Sequence, residues 1–211
     1  MTSTAERAAI PPQKPRRTRM SPEARREQLI ELGLAMLRES PIEDVSIDAI
    51  ADAAGVSRAL LFHYFESKQD FHVALAQAQA RQMLACTQPD ATVENPLEML
   101  EKSMRAYIDY VSENRNAYMA VLRGAASYDP AMRAVFDTTR AAMAERIYAY
   151  APALGVEVTP IVRLTVHGWI AFVEEATINW FATQDVTKGE LIALVTTALP
   201  ALATGAALTN L

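Results

Sequence analysis

The sequence predicts an all-α fold, and three observations carry that expectation. Apolar residues recur at three- and four-residue spacing in one segment after another, and no segment alternates apolar and polar residues as a half-buried strand does. With seven glycines in the chain, nothing resembles a hairpin turn. A capping residue followed by proline, the signal for a helix start, occurs at Ser21-Pro22, Asp129-Pro130 and Thr159-Pro160.

The elements follow in order. Residues 1–20 carry three prolines and no periodicity, which predicts a flexible arm. Ser21 caps a first helix whose stripe of Leu29, Leu32, Leu34, Met36 and Leu37 runs to about Ser40, and Pro41 ends it. Ser46 caps a short second helix, IDAIADAA, with Ile47, Ile50, Ala51 and Ala54 in register, and Gly55 supplies the turn. Ser57 caps a short third helix, and Ser67 caps a longer one to about Ala85. After a polar break at 87–95, Pro96 opens a helix with Leu97, Leu100, Met104, Tyr107, Ile108 and Val111 on one face. A short helix over 115–124 precedes the one that Pro130 opens, with Met132, Val135, Phe136, Met143 and Ile147. Pro160 begins a helix to about Gln184, and Thr187 caps a last one ending near Ala203.

Bulk properties exclude several classes. A hydrophobic content of 51% with 21% charged residues describes a chain that buries a core, which sets disorder aside. No window approaches the roughly 18 uninterrupted apolar residues of a spanning helix, and no apolar stretch of signal-peptide type opens the chain, so a cytoplasmic protein without membrane contact is expected. Cys86 is the single cysteine, which excludes an internal disulfide and a cysteine-cluster metal site and leaves a small hydrophobe. His63, His72 and His167 are far apart, and GxSxG, HExxH and phosphate-binding glycine loops are missing. No catalytic residue, metal or cofactor is expected, and the chain does not look like an enzyme. The net charge of −5 is unevenly placed: Arg7, Lys14, Arg16, Arg17, Arg19, Arg25 and Arg26 face only Glu6 and Glu23 in the first 26 residues. A basic end on an acidic body suggests a polyanion met at that end.

The stretch IADAAGVSRALLFHYFESK, residues 50–68, is where such a partner would be met. A helix of about eight residues, a glycine turn and a second short helix is the helix-turn-helix arrangement, whose second helix lies in the DNA major groove. Buried helical hairpins share that outline, so the polar residues decide. Val56, Leu61 and Phe65 fall on one face and would pack on Ile50 and the first helix. That leaves Arg58, Ala59, Leu60, His63 and Tyr64 facing outward. Arg58, just past the cap Ser57, has the geometry to grip a guanine edge. Ser46, Tyr64, Lys68 and the helix N-terminal amides suit phosphate contacts.

VSIDAIADAAGVSRALLFHYFESKQDF, within a match covering about residues 22–75, resembles the DNA-binding signature of the tetracycline-repressor (TetR) family of transcriptional regulators. The resemblance implies nine helices per subunit, a homodimer on a palindromic double-stranded DNA operator, and release by a small ligand. By position, Ser46 and Lys68 match phosphate contacts, while Arg58, Ala59, Leu60, His63 and Tyr64 match recognition-helix positions. Phe62 stands where the family very often has tyrosine, and Leu60 where a small or hydroxylated residue is common. The expected organisation is an arm over 1–20, the helix-turn-helix domain over 21–67 and a helical ligand-binding and dimerisation domain over 68–211. Arg16, Arg17 and Arg19 in the arm are candidate DNA contacts, with a solubilising tail as the alternative.

In the acidic remainder, the eighth and ninth helices carry more apolar surface than one face requires: Trp169, Phe172, Val173, Trp180 and Phe181, then Leu191, Leu194, Val195, Ala198, Leu199 and Leu202. Pairing with a second copy is one use, following the resemblance, and internal core is the other. For a small hydrophobic or amphipathic effector, Met104, Tyr107, Tyr118, Met119, Leu122, Phe136, Met143 and Phe172 supply adaptable and aromatic walls. His167, Glu174, Glu175 and Asn179 interrupt an otherwise apolar helix, and the carboxylates need partners: Arg105, Arg123 or Arg140, or a ligand. The rival to a repressor is a helical small-molecule carrier without DNA binding, in which outward basic and aromatic residues have no role.

Overall fold

Every described α-helix but the one that opens at Arg115 begins where a side-chain oxygen takes amides that the first turn leaves unpaired. Ser21, Ser46, Ser57, Ser67, Asn95, Asp129 and Thr159 all accept such bonds. At the last helix the exchange is reciprocal: Thr187 Oγ1 accepts from the Glu190 amide at 3.2 Å, and Glu190 Oε2 accepts from the Thr187 amide at 2.7 Å. The structure, a computed structural model, describes residues 20–40, 42–123 and 129–208. Its helices are α1 (Pro22–Glu39), α2 (Ile47–Ala54), α3 (Arg58–Tyr64), α4 (Lys68–Cys86), α5 (Pro96–Glu113), α6 (Arg115–Arg123), α7 (Pro130–Tyr150), α8 (Pro160–Thr183) and α9 (Lys188–Leu208). Tighter 3-10 turns lie at Ile42–Asp44 and Ala151–Leu154, and no strand occurs among the described residues.

Two cores organise these helices. The first joins α1, α2, α3 and the first half of α4, with Leu29, Ile50, Leu61, Phe71 and Leu75 fully enclosed. Gly55, at φ 63°, turns the chain sharply between α2 and α3 in a conformation that glycine adopts without strain. Phe65 and Phe71 meet edge to face at 4.8 Å, and His72 Nε2 donates to the Val45 carbonyl at 3.1 Å. Gly33 lets α1 approach α4 closely, since a Cβ there would stand 2.5 Å from Leu75 Cδ2 and 2.9 Å from Phe71 Cζ.

The second core joins α5 to α9 around Ile108, Val111, Val166, Ile170, Ile192 and Val195. Trp169 Nε1 donates to the Val195 carbonyl at 2.8 Å, tying α8 to α9, while Lys188 pairs with Asp109 to tie α9 to α5. Two helices belong to both cores. Leu75 of α4 and Ala117 of α6 lie in the first, and Met83 of α4 and Tyr118 of α6 in the second.

Four expectations change. Leu97, placed in the apolar stripe of its helix, sits in the first turn of α5 and is largely exposed. The last helix does not stop near Ala203. It passes through Pro200 to Leu208, because the alanines and Leu202 favour continuation and Thr204 Oγ1 donates back to the Pro200 carbonyl at 2.9 Å. Cys86 ends α4 exposed rather than packed, donating to the Met83 carbonyl at 3.2 Å. Leu60 and Tyr64 do not face fully outward: both are half-buried, Tyr64 against the first core, because the seven-residue α3 lies directly on that core. The arm with Arg16, Arg17 and Arg19, and the helix stop at Pro41, lie outside the described residues.

Candidate functional site

The head presents α3 on a fixed base. Leu61 and Phe65, at 0% and 1% exposure, lock one face into the first core, which leaves Arg58, Ala59, Phe62 and His63 on the open side. Arg58 is held in place before any partner arrives. Its Nη1 lies 3.1 Å from both oxygens of Asp48 at the start of α2, and its guanidinium stands over the Phe62 ring at 5.5 Å. With both charged side chains 62% exposed, the pair is worth less than about 1 kcal/mol and can exchange Asp48 for a stronger partner.

In and beside α3, three helix N-termini carry serine caps: Ser46 Oγ caps Ala49 at 3.1 Å, Ser57 Oγ caps Leu60 at 3.3 Å and Ser67 Oγ caps Asp70 at 3.0 Å. Lys68 opens α4 beside the third. His63 and Tyr64 meet edge to face at 5.2 Å. Phe62, where the family very often has tyrosine, is exposed on this open side. One turn after Arg58, its position alone was sufficient to place it beside that arginine.

Above the head, α4, α5, α7 and α8 enclose a cavity of about 210 Å³, with Tyr118 and Leu122 of α6 and Leu199 of α9 completing its wall. The wall is apolar over most of its area, with Met83, Met99, Met104, Met143 and Phe136 among its residues. Its polar groups are few and mostly paired. Arg140 grips Glu174 through two bonds, Nε to Oε1 at 2.9 Å and Nη2 to Oε2 at 2.5 Å, which also holds the guanidinium protonated more firmly than usual. Tyr107 and Tyr118 hydrogen-bond to one another at 2.5 Å between hydroxyls. Burial drives both phenols well above the ordinary tyrosine value, so each keeps its proton. Arg146 donates to the Leu84 carbonyl at 2.6 Å and to Thr87 Oγ1 at 3.2 Å, closing the last turn of α4.

Of the residues expected to line a pocket, Met104, Tyr107, Tyr118, Leu122, Phe136 and Met143 do so. Four do not stand in the cavity wall. Met119 packs into the second core instead. Phe172 looks outward from α8: a helix turns about 100° per residue, and the next residue, Val173, is the one that faces the core. Glu175 pairs with Arg123 outside the cavity, and Asn179 Nδ2 donates to Glu175 Oε1 at 3.1 Å. Gln79, Arg140 and Arg146 also stand in the wall, and nothing in helical spacing separates a cavity arginine from a surface one.

Among the described residues, no helix is long and apolar enough to cross a membrane, and no cluster of His, Cys, Asp and Glu could hold a metal ion. Known proteins resemble both parts of the chain. Residues 29–75 match the model for bacterial regulatory proteins of the tetR family, and residues 96–202 match a tetracyclin repressor-like C-terminal domain. The transcriptional regulator AcuR of Cereibacter sphaeroides is 42% identical over 71 residues, covering 32% of either chain. The HTH-type transcriptional regulator EthR of Mycobacterium tuberculosis is 32% identical over 124 residues, 58% of this chain and 56% of that one. The chain thus spans between a third and just over half of these curated relatives. A tetR-family transcriptional regulator from Streptomyces coelicolor superposes with a TM-score of 0.80 at 28% identity, covering 90% of this chain and 85% of its own. With matches that take in both the head and the helical body, this chain belongs to the tetracycline-repressor (TetR) family.

Proposed function

We propose that the chain is a homodimeric, ligand-responsive transcriptional repressor that binds a palindromic operator and is released by a small, largely hydrophobic effector. The observation that carries this reading is the seat of α3. A helix locked by Leu61 and Phe65 holds Arg58, Phe62 and His63 out on one open surface, flanked by the caps and Lys68. Arg58 reads a base edge, with Ala59, Leu60 and Phe62 as neighbours that meet apolar groups such as the thymine methyl. Ser46, Ser57, Tyr64 and Lys68 fix the register on phosphates. Arg16, Arg17 and Arg19 extend the contact along the backbone or into the minor groove.

Two such heads must stand about 34–36 Å apart to meet adjacent half-sites. The outer faces of α8 and α9 suit the pairing. Leu164, Phe172, Leu194 and Leu202 are exposed at 68%, 37%, 51% and 46%, and Gly168 leaves open space between Leu164 and Phe172. Such a patch on paired helices suits a twofold contact with a second copy. The cavity then acts through α4 and α6, which run from its wall into the head core.

Genome-wide footprinting with the purified full chain tests the proposal. Protected palindromes that bind with a steep salt dependence support it; failure to find any specific site favours a small-molecule carrier. Removing residues 1–20 lowers the slope of log affinity against log salt, and an unchanged slope takes the arm out of the contact.

A further inference from the structure

Resting on the reading of the cavity as the effector site, we propose that its effector is uncharged and carries one hydrogen-bond acceptor, a ketone, ester or amide oxygen, which the Tyr107–Tyr118 pair recognises. Donor counting carries the inference. Two phenols bring two O–H hydrogens, and one of them lies between the hydroxyl oxygens. The second finds no protein acceptor among the described residues, although both rings are buried in the cavity wall. A buried donor without a partner is costly, and a ligand oxygen at this corner removes that cost.

Charge selects against an anion at the same place. Arg140 stands close to the two phenols, but Glu174 already neutralises it through two bonds. A carboxylate arriving here would be desolvated beside the carboxylate of Glu174, with no uncommitted cation in the cavity wall among the described residues. The other guanidinium in the wall, Arg146, is committed to the α4 carbonyl and Thr87. A neutral carbonyl keeps every existing pair intact and satisfies the single spare donor. Taking about 10–15 Å³ of such volume per atom-sized unit, the cavity holds on the order of fifteen heavy atoms. That suits a single apolar chain or a pair of fused rings bearing one carbonyl group.

Displacement of Nile red from the full-length protein tests this with three probes of matched length: 2-tridecanone, tridecane and dodecanoate. The ketone displaces the dye at lower concentration than dodecanoate. In the double variant Tyr107→Phe/Tyr118→Phe the ketone loses about tenfold in affinity relative to tridecane, since its oxygen is then buried unpaired. Each single variant keeps one donor and no internal bond, so its ketone affinity stays within about threefold of the parent. That non-additivity separates recognition from a merely structural role of the rings. Tighter binding of dodecanoate, or an unchanged ketone-to-alkane ratio in the double variant, overturns the proposal. If the double variant does not fold, the comparison of ketone with dodecanoate on the parent protein still decides. Binding of neither the dye nor any of the three probes instead rejects the cavity as an effector site.

Discussion

Gly33→Ala is the most exacting test of how the head is joined to the body. The added methyl would stand 2.5 Å from Leu75 Cδ2 and 2.9 Å from Phe71 Cζ, against about 3.5–4.0 Å for comfortable carbon contact. Neither neighbour can swing into solvent, because both are fully enclosed. The helices must therefore separate by about 1 Å, and overpacking of that kind costs about 1–3 kcal/mol. Alanine returns up to about 1 kcal/mol through its helix propensity. The net destabilisation is about 0–3 kcal/mol, which lowers the melting temperature by up to about 12 °C in a chain of this size. Because α4 enters the cavity wall one residue after Leu75, at Ala76, the displacement also changes the position of the head. Operator affinity falls while Nile red binding in the cavity is retained. Thermal denaturation and an operator titration on the same preparation read both effects. An alanine variant as stable as the parent, with full operator affinity, would refute the tight seat of α1 on α4.

Four further outcomes follow from the geometry. Arg58→Ala lowers specific operator affinity by about tenfold to a hundredfold, the worth of one bidentate base contact. Asp48→Asn raises non-specific affinity instead by freeing that arginine and removing a charge that repels phosphate; gel-shift titrations on operator and scrambled duplexes separate the two. Phe172→Glu combined with Leu194→Glu places unpaired charge on the outer face of α8 and α9, shifting sedimentation from dimer to monomer without loss of helical signal; a persistent dimer moves the interface elsewhere. Stability declines at high pH. Tyr107, Tyr110 and Tyr118 all have folded-state values raised by burial, Tyr110 to about 12, so the unfolded chain loses these protons first, and stability present below about pH 10 is lost as pH rises. Urea midpoints that do not fall between pH 9 and pH 11 contradict the burial of these phenols.

What the sequence revealed of the fold was local in origin. A serine, threonine or aspartate before the first turn caps a helix whatever surrounds it, so the starts at Ser21, Ser46, Ser57, Ser67, Asp129 and Thr159 were legible. The end of the last helix was less legible: the alanines that follow Pro200 favour continuing, so it runs past the expected end near Ala203 to Leu208. Cavity membership was harder to see. Glu174 and Glu175 are neighbours, yet a helix turns about 100° between them, and one meets Arg140 in the cavity while the other meets Arg123 outside. Phe172 and Val173 separate in the same manner. An apolar side chain facing an empty space and one facing a packed core satisfy the same periodicity, so only the positions of the opposing helices distinguish them.

The same one-residue alternation shows how the two cores communicate. On α6, Ala117 is buried in the head core, while the next residue, Tyr118, forms the cavity wall and bonds Tyr107. Asn116 Nδ2 donates to the Arg38 carbonyl at the end of α1, at 3.2 Å. On α4, Leu75 and Ala76 divide in the same way. No flexible linker lies between effector and head at either junction. Packed interiors transmit displacement because they are nearly incompressible, so an effector that moves Tyr118 must also move Ala117 against α1. In the proposed dimer, a second head on the same operator adds sensitivity to small changes in separation. A difference in effector affinity of about 1–3 kcal/mol between the two arrangements is then enough to release the operator, and by linkage the operator weakens effector binding by the same factor. An effector that binds tightly and equally in the presence and absence of operator would be incompatible with these two shared helices.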